Sequence, residues 1–258
     1  MKTAVIIPAR YASTRLPGKM LLEAGGKPLI QHTFECARGA MRADRVLIAT
    51  DDERILQAAK RFGAEAVMTD PRHKSGSERA AEVARGLDAD IIVNLQGDEP
   101  ELDPAAIDRL IALQSTHKPF ASTLVCPFPE GARLDDPAAV KAVLGRRVGP
   151  ECYEALYFTR ALAPHTRDGA PDRANYRLHV GVYAFRRDSL MAFAAAPEGR
   201  LERIERLEQL RILEMGERIL AAKIPAAAPG VDTAGDFAAF KRRVEGVTSA
   251  AEARIGPD

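Results

Sequence analysis

The sequence has no tryptophan, only three cysteines, and aromatic residues at just 5%. The missing tryptophan argues against a surface that works by stacking on nucleic-acid bases. Cys36, Cys126 and Cys152 are odd in number and far apart, so neither a disulfide framework nor a metal-ligand spacing can be read from them. An excess of charge is lacking too. Lys and Arg number 37 against 36 Asp and Glu, a net charge of +1. No global field favours nucleic acid or an anionic membrane, so any anion site must be local. No apolar run approaches a membrane span, and the one at the start is too short for a signal peptide. The expectation is a cytoplasmic protein that handles a small charged molecule, with no nucleic-acid partner and no membrane insertion.

The 258 residues suffice for one large α/β domain, or for a domain with a substantial insertion. Through the first half, apolar runs alternate with helical patterns. Strands are expected at Ala4 to Ile7, Arg45 to Ala49, Ala64 to Met68 and Ile91 to Leu95. Helices are expected from Pro28 to Arg38, to about Phe62 after a capping box at Thr50 to Glu53, from Ser77 to Gly86, and from Pro104 to Ser115. This order calls for an open, mostly parallel sheet with right-handed crossovers and ligands outside the carboxyl ends of its strands. The second half reads as a mixed sheet, with strands at Ala121 to Cys126, Val140 to Leu144, Ala155 to Phe158 and Arg177 to Phe185. Arg160 to Tyr176, rich in Pro, Gly and charge, reads as a mobile loop. One helix is expected from Glu202 to Met215, then a strand from Arg218 to Ile224 and a last helix from Thr233 to Val244. The rest reads as a fraying tail.

Two clusters fall at strand ends. "PARYASTRLPGKM" places Arg10, Arg15 and Lys19 in one turn-rich loop, where three like charges repel unless an anion or water sits among them. It is no P-loop, since that pattern needs Gly at Ser13 and Ser or Thr at Met20. Backbone N–H groups and three cations can still cradle phosphates. "NLQGDEP" then brings Asp98 and Glu99 to the same rim, and Mg²⁺ takes one or two carboxylates with phosphate oxygens and water. Three further stretches have plain alternatives. Ser75 to Ser77 can be a helix cap, which leaves His73, Lys74 and Arg79 unexplained. Asp232 can be a near-cap residue, and Glu208 and Gln209 solvated positions on an amphipathic helix packed through Leu207, Leu210 and Leu213.

Together these pieces resemble the cytidylyltransferases that activate 3-deoxy-D-manno-octulosonate (Kdo), the CMP-Kdo synthetases. The resemblance runs from Ala4 to about Val244 through "VIIPARYASTRLPGK", "IATDDERI", "HKSGSERAAEV", "VNLQGDEP", "DPAAVKAVL", "ALYFTRA", "LHVGVYAFRRDSL", "IERLEQLRILEMG" and "GVDTAGDF". It implies the nucleotide-diphospho-sugar transferase fold, Rossmann-like, with helices on both faces of the sheet and a smaller mixed-sheet part for substrate binding and dimerisation. One domain would span 1–245: mainly nucleotide binding over 1–118, sugar binding and a homodimer contact over 119–200, closing elements over 201–245, and a flexible tail at 246–258. The resemblance implies nucleotide contacts at Pro8, Ala9, Arg10, Arg15, Lys19, Ser75, Gly76, Arg79 and Asp98. It puts the sugar acid on Gln96, Arg160, His179, Tyr183, Glu208 and Gln209, and Mg²⁺ on Asp98 and Asp232. Catalysis would rest on Arg10, Arg15, Lys19 and Asp98. Two departures stand out: Ala138 replaces a usual Asn, and the segment after Arg160 reads Ala163-Pro164-His165-Thr166.

The implied reaction is CTP plus Kdo giving CMP-Kdo and pyrophosphate. The sugar hydroxyl attacks the α-phosphorus, and cations stabilise the charge that grows on entering and leaving oxygens, so no protein nucleophile is needed. Rival readings are a cytidylyltransferase for another sugar acid such as 8-amino-3,8-dideoxy-manno-octulosonate, a glycosyltransferase, and a non-catalytic nucleotide-binding module. The glycosyltransferase should carry an Asp-x-Asp motif, which Asp98-Glu99-Pro100 does not supply.

Overall fold

A computed structural model describes residues 1–246. Its chain order is β1 (Thr3–Ala9), β2 (Glu23–Ala24), β3 (Lys27–Pro28), α1 (Leu29–Arg38), β4 (Arg45–Thr50), α2 (Glu53–Arg61), β5 (Glu65–Met68), α3 (Gly76–Arg85), β6 (Ile91–Leu95) and α4 (Pro104–His117). There follow β7 (Ala121–Pro127), β8 (Lys141–Gly149), β9 (Cys152–Thr159), β10 (Arg177–Arg186), α5 (Arg187–Ala195), α6 (Arg200–Glu205), α7 (Leu210–Glu214), β11 (Ile219–Lys223) and α8 (Ala234–Glu245).

Nine strands form one sheet in the order β5-β4-β1-β6-β10-β7-β11-β9-β8, and β2 and β3 make a separate small ribbon. β1 lies between β4 and β6, parallel to both, with Val5 opposite Val46 on one side and Val93 on the other. β10 and β9 run against the rest. The second-half strands thus continue the first sheet and are not detached from it. Alternation along β1 feeds two cores. Val5 and Ile7 pack with Ile30, Phe34 and Ile107 on one face, while Ala4 and Ile6 pack with Ala80, Leu190 and Phe193 on the other. Helices therefore cover both faces, as the fold class requires.

Several expectations need correction. The α2 cap is Asp52, whose Oδ1 accepts from Arg54 N at 2.9 Å, and Thr50 sits inside β4. The apolar pattern gives no signal for α5. The single helix expected from Glu202 to Met215 is two short ones, broken where Arg206 adopts φ 55°. A non-glycine residue in that region costs about 1–2 kcal/mol. Across the break Arg211 grips Glu202, with Nε to Oε2 at 2.7 Å and Nη2 to Oε1 at 2.6 Å, both side chains buried. That staple spans the break, where Arg206 is left-handed and Gln209 has already returned to helical dihedrals. Between β9 and β10, Arg173 anchors the long connection by donating to the carbonyls of Pro129 and Ala132, both at 2.8 Å. The expected tail, from residue 247 on, lies outside the described residues.

Candidate active site

The carboxyl end of β1 delivers Pro8 and Ala9 to the rim, with Arg10 exposed just beyond. The chain then turns back through Gly18, at φ 68°, whose N–H donates to Tyr11 O at 3.2 Å. Glycine is needed there both for the left-handed backbone and because an added Cβ would lie 3.2 Å from the Tyr11 ring. The turn sends Lys19 inward, to 7% exposure. Its Nζ donates to Asp98 Oδ2 at 2.5 Å, Asp232 Oδ1 at 3.1 Å and Val231 O at 3.2 Å. Arg15 Nη2 reaches the same Asp232 oxygen at 2.9 Å.

Asp98 and Asp232, far apart in sequence, thus meet on one ammonium. The backbone is stitched there as well, Val231 N donating to Asp98 O at 2.8 Å. Asp232 is not the cap of α8. Thr233 is, its Oγ1 accepting from Asp236 N at 3.2 Å. Beside these carboxylates, burial and the charges of Asp98 and Asp232 push the Glu99 carboxyl up to about 8. Lys19 and Arg15 together match the charge of Asp98 and Asp232, while Glu99 keeps its proton at neutral pH. Among the described residues, no three His, Cys, Asp or Glu side chains converge on one metal position. Two carboxylates on a rim of cations suit a hard divalent ion that arrives with phosphate oxygens.

This loop lines a cavity of about 210 Å³, closed opposite by His73, Lys74, Ser75, Gly76 and Arg79 at the amino end of α3. Ser75 is the α3 cap, accepting from Glu78 N at 3.2 Å, so the plain explanation of this serine is correct. His73 pairs with Glu82. Arg79 is buried and held by Asp51 Oδ2 at 2.6 Å and by the Thr69 hydroxyl.

Ser75, Gly76 and Gln96 also line a second cavity, of about 400 Å³. Gly76 lets the shared wall close up, since a Cβ there would sit 2.9 Å from both polar atoms of the Gln96 amide and displace that side chain. The far side carries His179, Tyr183, Glu208 and Gln209, all expected at one site, plus Arg206, which was not. His179 packs against Phe158 and Tyr183, with ring centroids at 4.8 and 5.5 Å, and its Nε2 meets Thr123 Oγ1 at 2.9 Å. Burial pushes the imidazole down to about 3, so the ring is neutral at neutral pH. Burial raises the Tyr183 and Glu208 groups. Two buried atoms here lack any hydrogen-bond partner, Glu208 Oε2 and Gln209 Nε2. Buried polar atoms are rarely left so, and each calls for a partner from outside the chain, whether water, an ion or a ligand.

Arg160 is off this lining. Its Nε donates to Glu205 O at 2.6 Å, Nη1 to Pro137 O at 2.8 Å and Nη2 to Arg206 O at 3.2 Å. The guanidinium braces the turn that presents Arg206, the lone Lys or Arg among the lining residues. Nothing in the local pattern marks Arg206, because Leu207, Leu210 and Leu213 fit an unbroken helix.

A family model described as cytidylyltransferase matches residues 4–219. A 3-deoxy-manno-octulosonate cytidylyltransferase of Rhodopirellula baltica is 45% identical over 253 residues, 95% of this chain and 99% of the relative. An 8-amino-3,8-dideoxy-manno-octulosonate cytidylyltransferase of Shewanella woodyi is 43% identical, covering 95% and 99%. A solved structure of CMP:2-keto-3-deoxy-manno-octonic acid synthetase complexed with CTP superimposes with a TM-score of 0.88 at 38% identity, over 96% of this chain and all of that one. The chain belongs to the cytidylyltransferase family that includes the 3-deoxy-manno-octulosonate enzymes.

Proposed function

We propose that this cytidylyltransferase transfers CMP from CTP to the anomeric hydroxyl of 3-deoxy-manno-octulosonate, giving CMP-Kdo and pyrophosphate. The observation that carries the reading is the pair of cavities joined at Ser75, Gly76 and Gln96, one rimmed by cations and carboxylates, the other enclosing unpartnered Glu208 and Gln209 atoms. A phosphate chain fits the first and a polyhydroxy acid the second, with the reacting atoms at the shared wall.

Arg10, exposed and without an ion pair among the described residues, and Arg15 meet the phosphates. Lys19 holds Asp98 and Asp232 together and repels any cation that does not bring its own anion. Those two aspartates would hold Mg²⁺, which when bound offsets charge on the phosphate oxygens. Arg79, fixed by Asp51 and Thr69, presents a rigid polar edge towards the base. Across the wall, neutral His179 and Tyr183 orient hydroxyls, and Arg206 supplies the charge for the sugar carboxylate. Fixing the hydroxyl against the α-phosphorus turns a bimolecular attack into a positioned one. A homodimer through the second-half strands is part of the proposal, supported by edge strand β8 and by Leu156 on β9, which is 58% exposed. So is a cytoplasmic location, where CTP is available and cysteines such as the free Cys36, Cys126 and Cys152 stay reduced. No described helix is long and apolar enough to cross a membrane.

The test is pyrophosphate release from CTP with and without 3-deoxy-manno-octulosonate, and in a parallel arm with the 8-amino sugar. Release that depends on the first sugar is expected. Release without sugar, or with the 8-amino sugar alone, overturns the assignment.

A further inference from the structure

A buried chain of polar side chains runs between the two cavities, and its inner members, Asn94 and Ser77, have no task in the mechanism above. Gln96 Nε2 donates to Asn94 Oδ1 at 3.3 Å, Asn94 Nδ2 donates to Ser77 Oγ at 3.0 Å, and Ser77 Oγ donates to Glu208 Oε1 at 2.7 Å. The members come from the end of β6, the first turn of α3 and the break between α6 and α7. Asn94 and Ser77 are 0% and 1% exposed, so water cannot substitute for either partner.

The direction of this chain follows from proton counting. With Glu208 ionised its Oε1 can only accept, so Ser77, which has one proton, gives it to Glu208 and accepts from Asn94. Asn94 must then turn its NH₂ to Ser77 and its carbonyl oxygen to Gln96. Gln96 in turn must offer its NH₂, which leaves its Oε1 uncommitted at the wall the cavities share. At the other end, Glu208 Oε1 is used and Oε2 is buried without a hydrogen bond of normal geometry, although the Ser75 hydroxyl also lies beside this carboxylate. The relay thus leaves two acceptors, Gln96 Oε1 and Glu208 Oε2, available on one pocket surface. One-way chains of this kind polarise and reinforce each other in a low-dielectric interior.

We propose that Asn94 and Ser77 are positioning residues for sugar selection, fixing the amide orientation of Gln96 and the rotamer of Glu208 so that both present acceptors to sugar hydroxyls. The inference rests on the sugar-acid reading of the second cavity. It assigns Ser77 a role beyond the helix start, where Ser75 already supplies the cap.

The test uses the full-length enzyme carrying Ser77→Ala, Ser77→Thr or the near-isosteric Asn94→Asp, whose carboxylate cannot donate to Ser77. Sugar KM is measured at saturating CTP, CTP affinity by calorimetry without sugar, and folding by thermal melt. Ser77→Ala and Asn94→Asp should each raise the sugar KM about 10-fold or more while CTP affinity stays within about twofold. Ser77→Thr, which keeps the hydroxyl, should recover most of the loss. Adding Ser77→Ala to Glu208→Gln should cost little beyond the worse single change, because both act through one contact. A wild-type sugar KM in folded Ser77→Ala or Asn94→Asp overturns the relay, as does a parallel loss of CTP affinity or full additivity. Should Ser77→Ala fail to fold, Asn94→Asp decides the question by itself. Failure of the functional reading looks different: the unmodified enzyme itself would release no sugar-dependent pyrophosphate.

Discussion

The two cavities share a wall but use opposite electrostatics. On the nucleotide side, Arg15, Lys19, Asp98 and Asp232 interlock through opposite charges at the carboxyl ends of parallel strands. On the sugar side burial keeps His179 and Tyr183 neutral, Glu208 accepts from a hydroxyl, and Arg206 on the rim is the lone basic side chain of the lining. The contrast follows the chemistry proposed for each. Charge that grows during phosphoryl transfer needs fixed opposite charge close by. A polyol is told from other polyols by oriented donors and acceptors, which lose discrimination if water can replace them.

The sharpest way to break this comparison is to remove charge from the nucleotide side without changing shape. Asp98→Asn and Asp232→Asn should each slow turnover about 100-fold or more, roughly 3 kcal/mol of barrier. An ion pair to Lys19 at a wet rim would account for only about 0–1 kcal/mol. The double variant should lose much less than the product of the two, since both carboxylates meet at Lys19 and would serve one ion. Magnesium titration of the rate is the check. Multiplying losses, or unchanged magnesium dependence in Asp232→Asn, would reduce Asp232 to a partner for Arg15.

The same contrast explains what could be read from the sequence. The nucleotide side is built largely from contiguous loops after β1 and β6, so Arg10, Arg15, Lys19 and Asp98 stand together in two short motifs with visible turn residues. Asp232 has an equally good local reading as a cap residue, and only the resemblance points to the metal. The sugar side is assembled across the sheet. His179 and Tyr183 lie on an antiparallel strand, and Glu208 and Gln209 become buried because Arg206 breaks a helix that the apolar spacing favours. That break is held by Glu202 and Arg211, nine positions apart, a distance no local pattern reports. Ser77 and Asn94 are hidden for a simpler reason. A cap serine and a strand-end asparagine look the same whether or not they carry a relay.

A second, smaller effect sharpens the sugar side. Arg206→Ala should raise the sugar KM about 10-fold and leave CTP affinity unchanged, since a charged contact to the carboxylate is lost. Arg160→Met should do the same at one remove and also lower the melting temperature, because three carbonyl acceptors lose their donor. Steady-state kinetics with each substrate varied, together with thermal melts, distinguish the two. If Arg160→Met raised the sugar KM with an unchanged melt while Arg206→Ala did nothing, Arg160 would be the direct sugar contact that the resemblance implies.

The smallest effect concerns stability and tests whether the sugar side is as neutral as its geometry requires. His179 is held near 3, against 6.5 for a free imidazole. Between those values the unfolded chain binds a proton that the folded one refuses, so stability rises with pH across the window and falls as pH drops below about 6.5. For a ring that lines a cavity the loss is at most about 1 kcal/mol per pH unit, and above about 7 it disappears. His179→Gln removes the titrating group and retains polarity, so its unfolding free energy should fall less steeply from pH 7 to pH 5 than that of the unmodified protein. Urea denaturation at both values checks this, with the difference between the proteins cancelling the carboxylates common to both. Equal slopes would mean that His179 takes up a proton in the folded state. Charge would then sit at the centre of the sugar cavity, and the two halves of the site would no longer differ in kind.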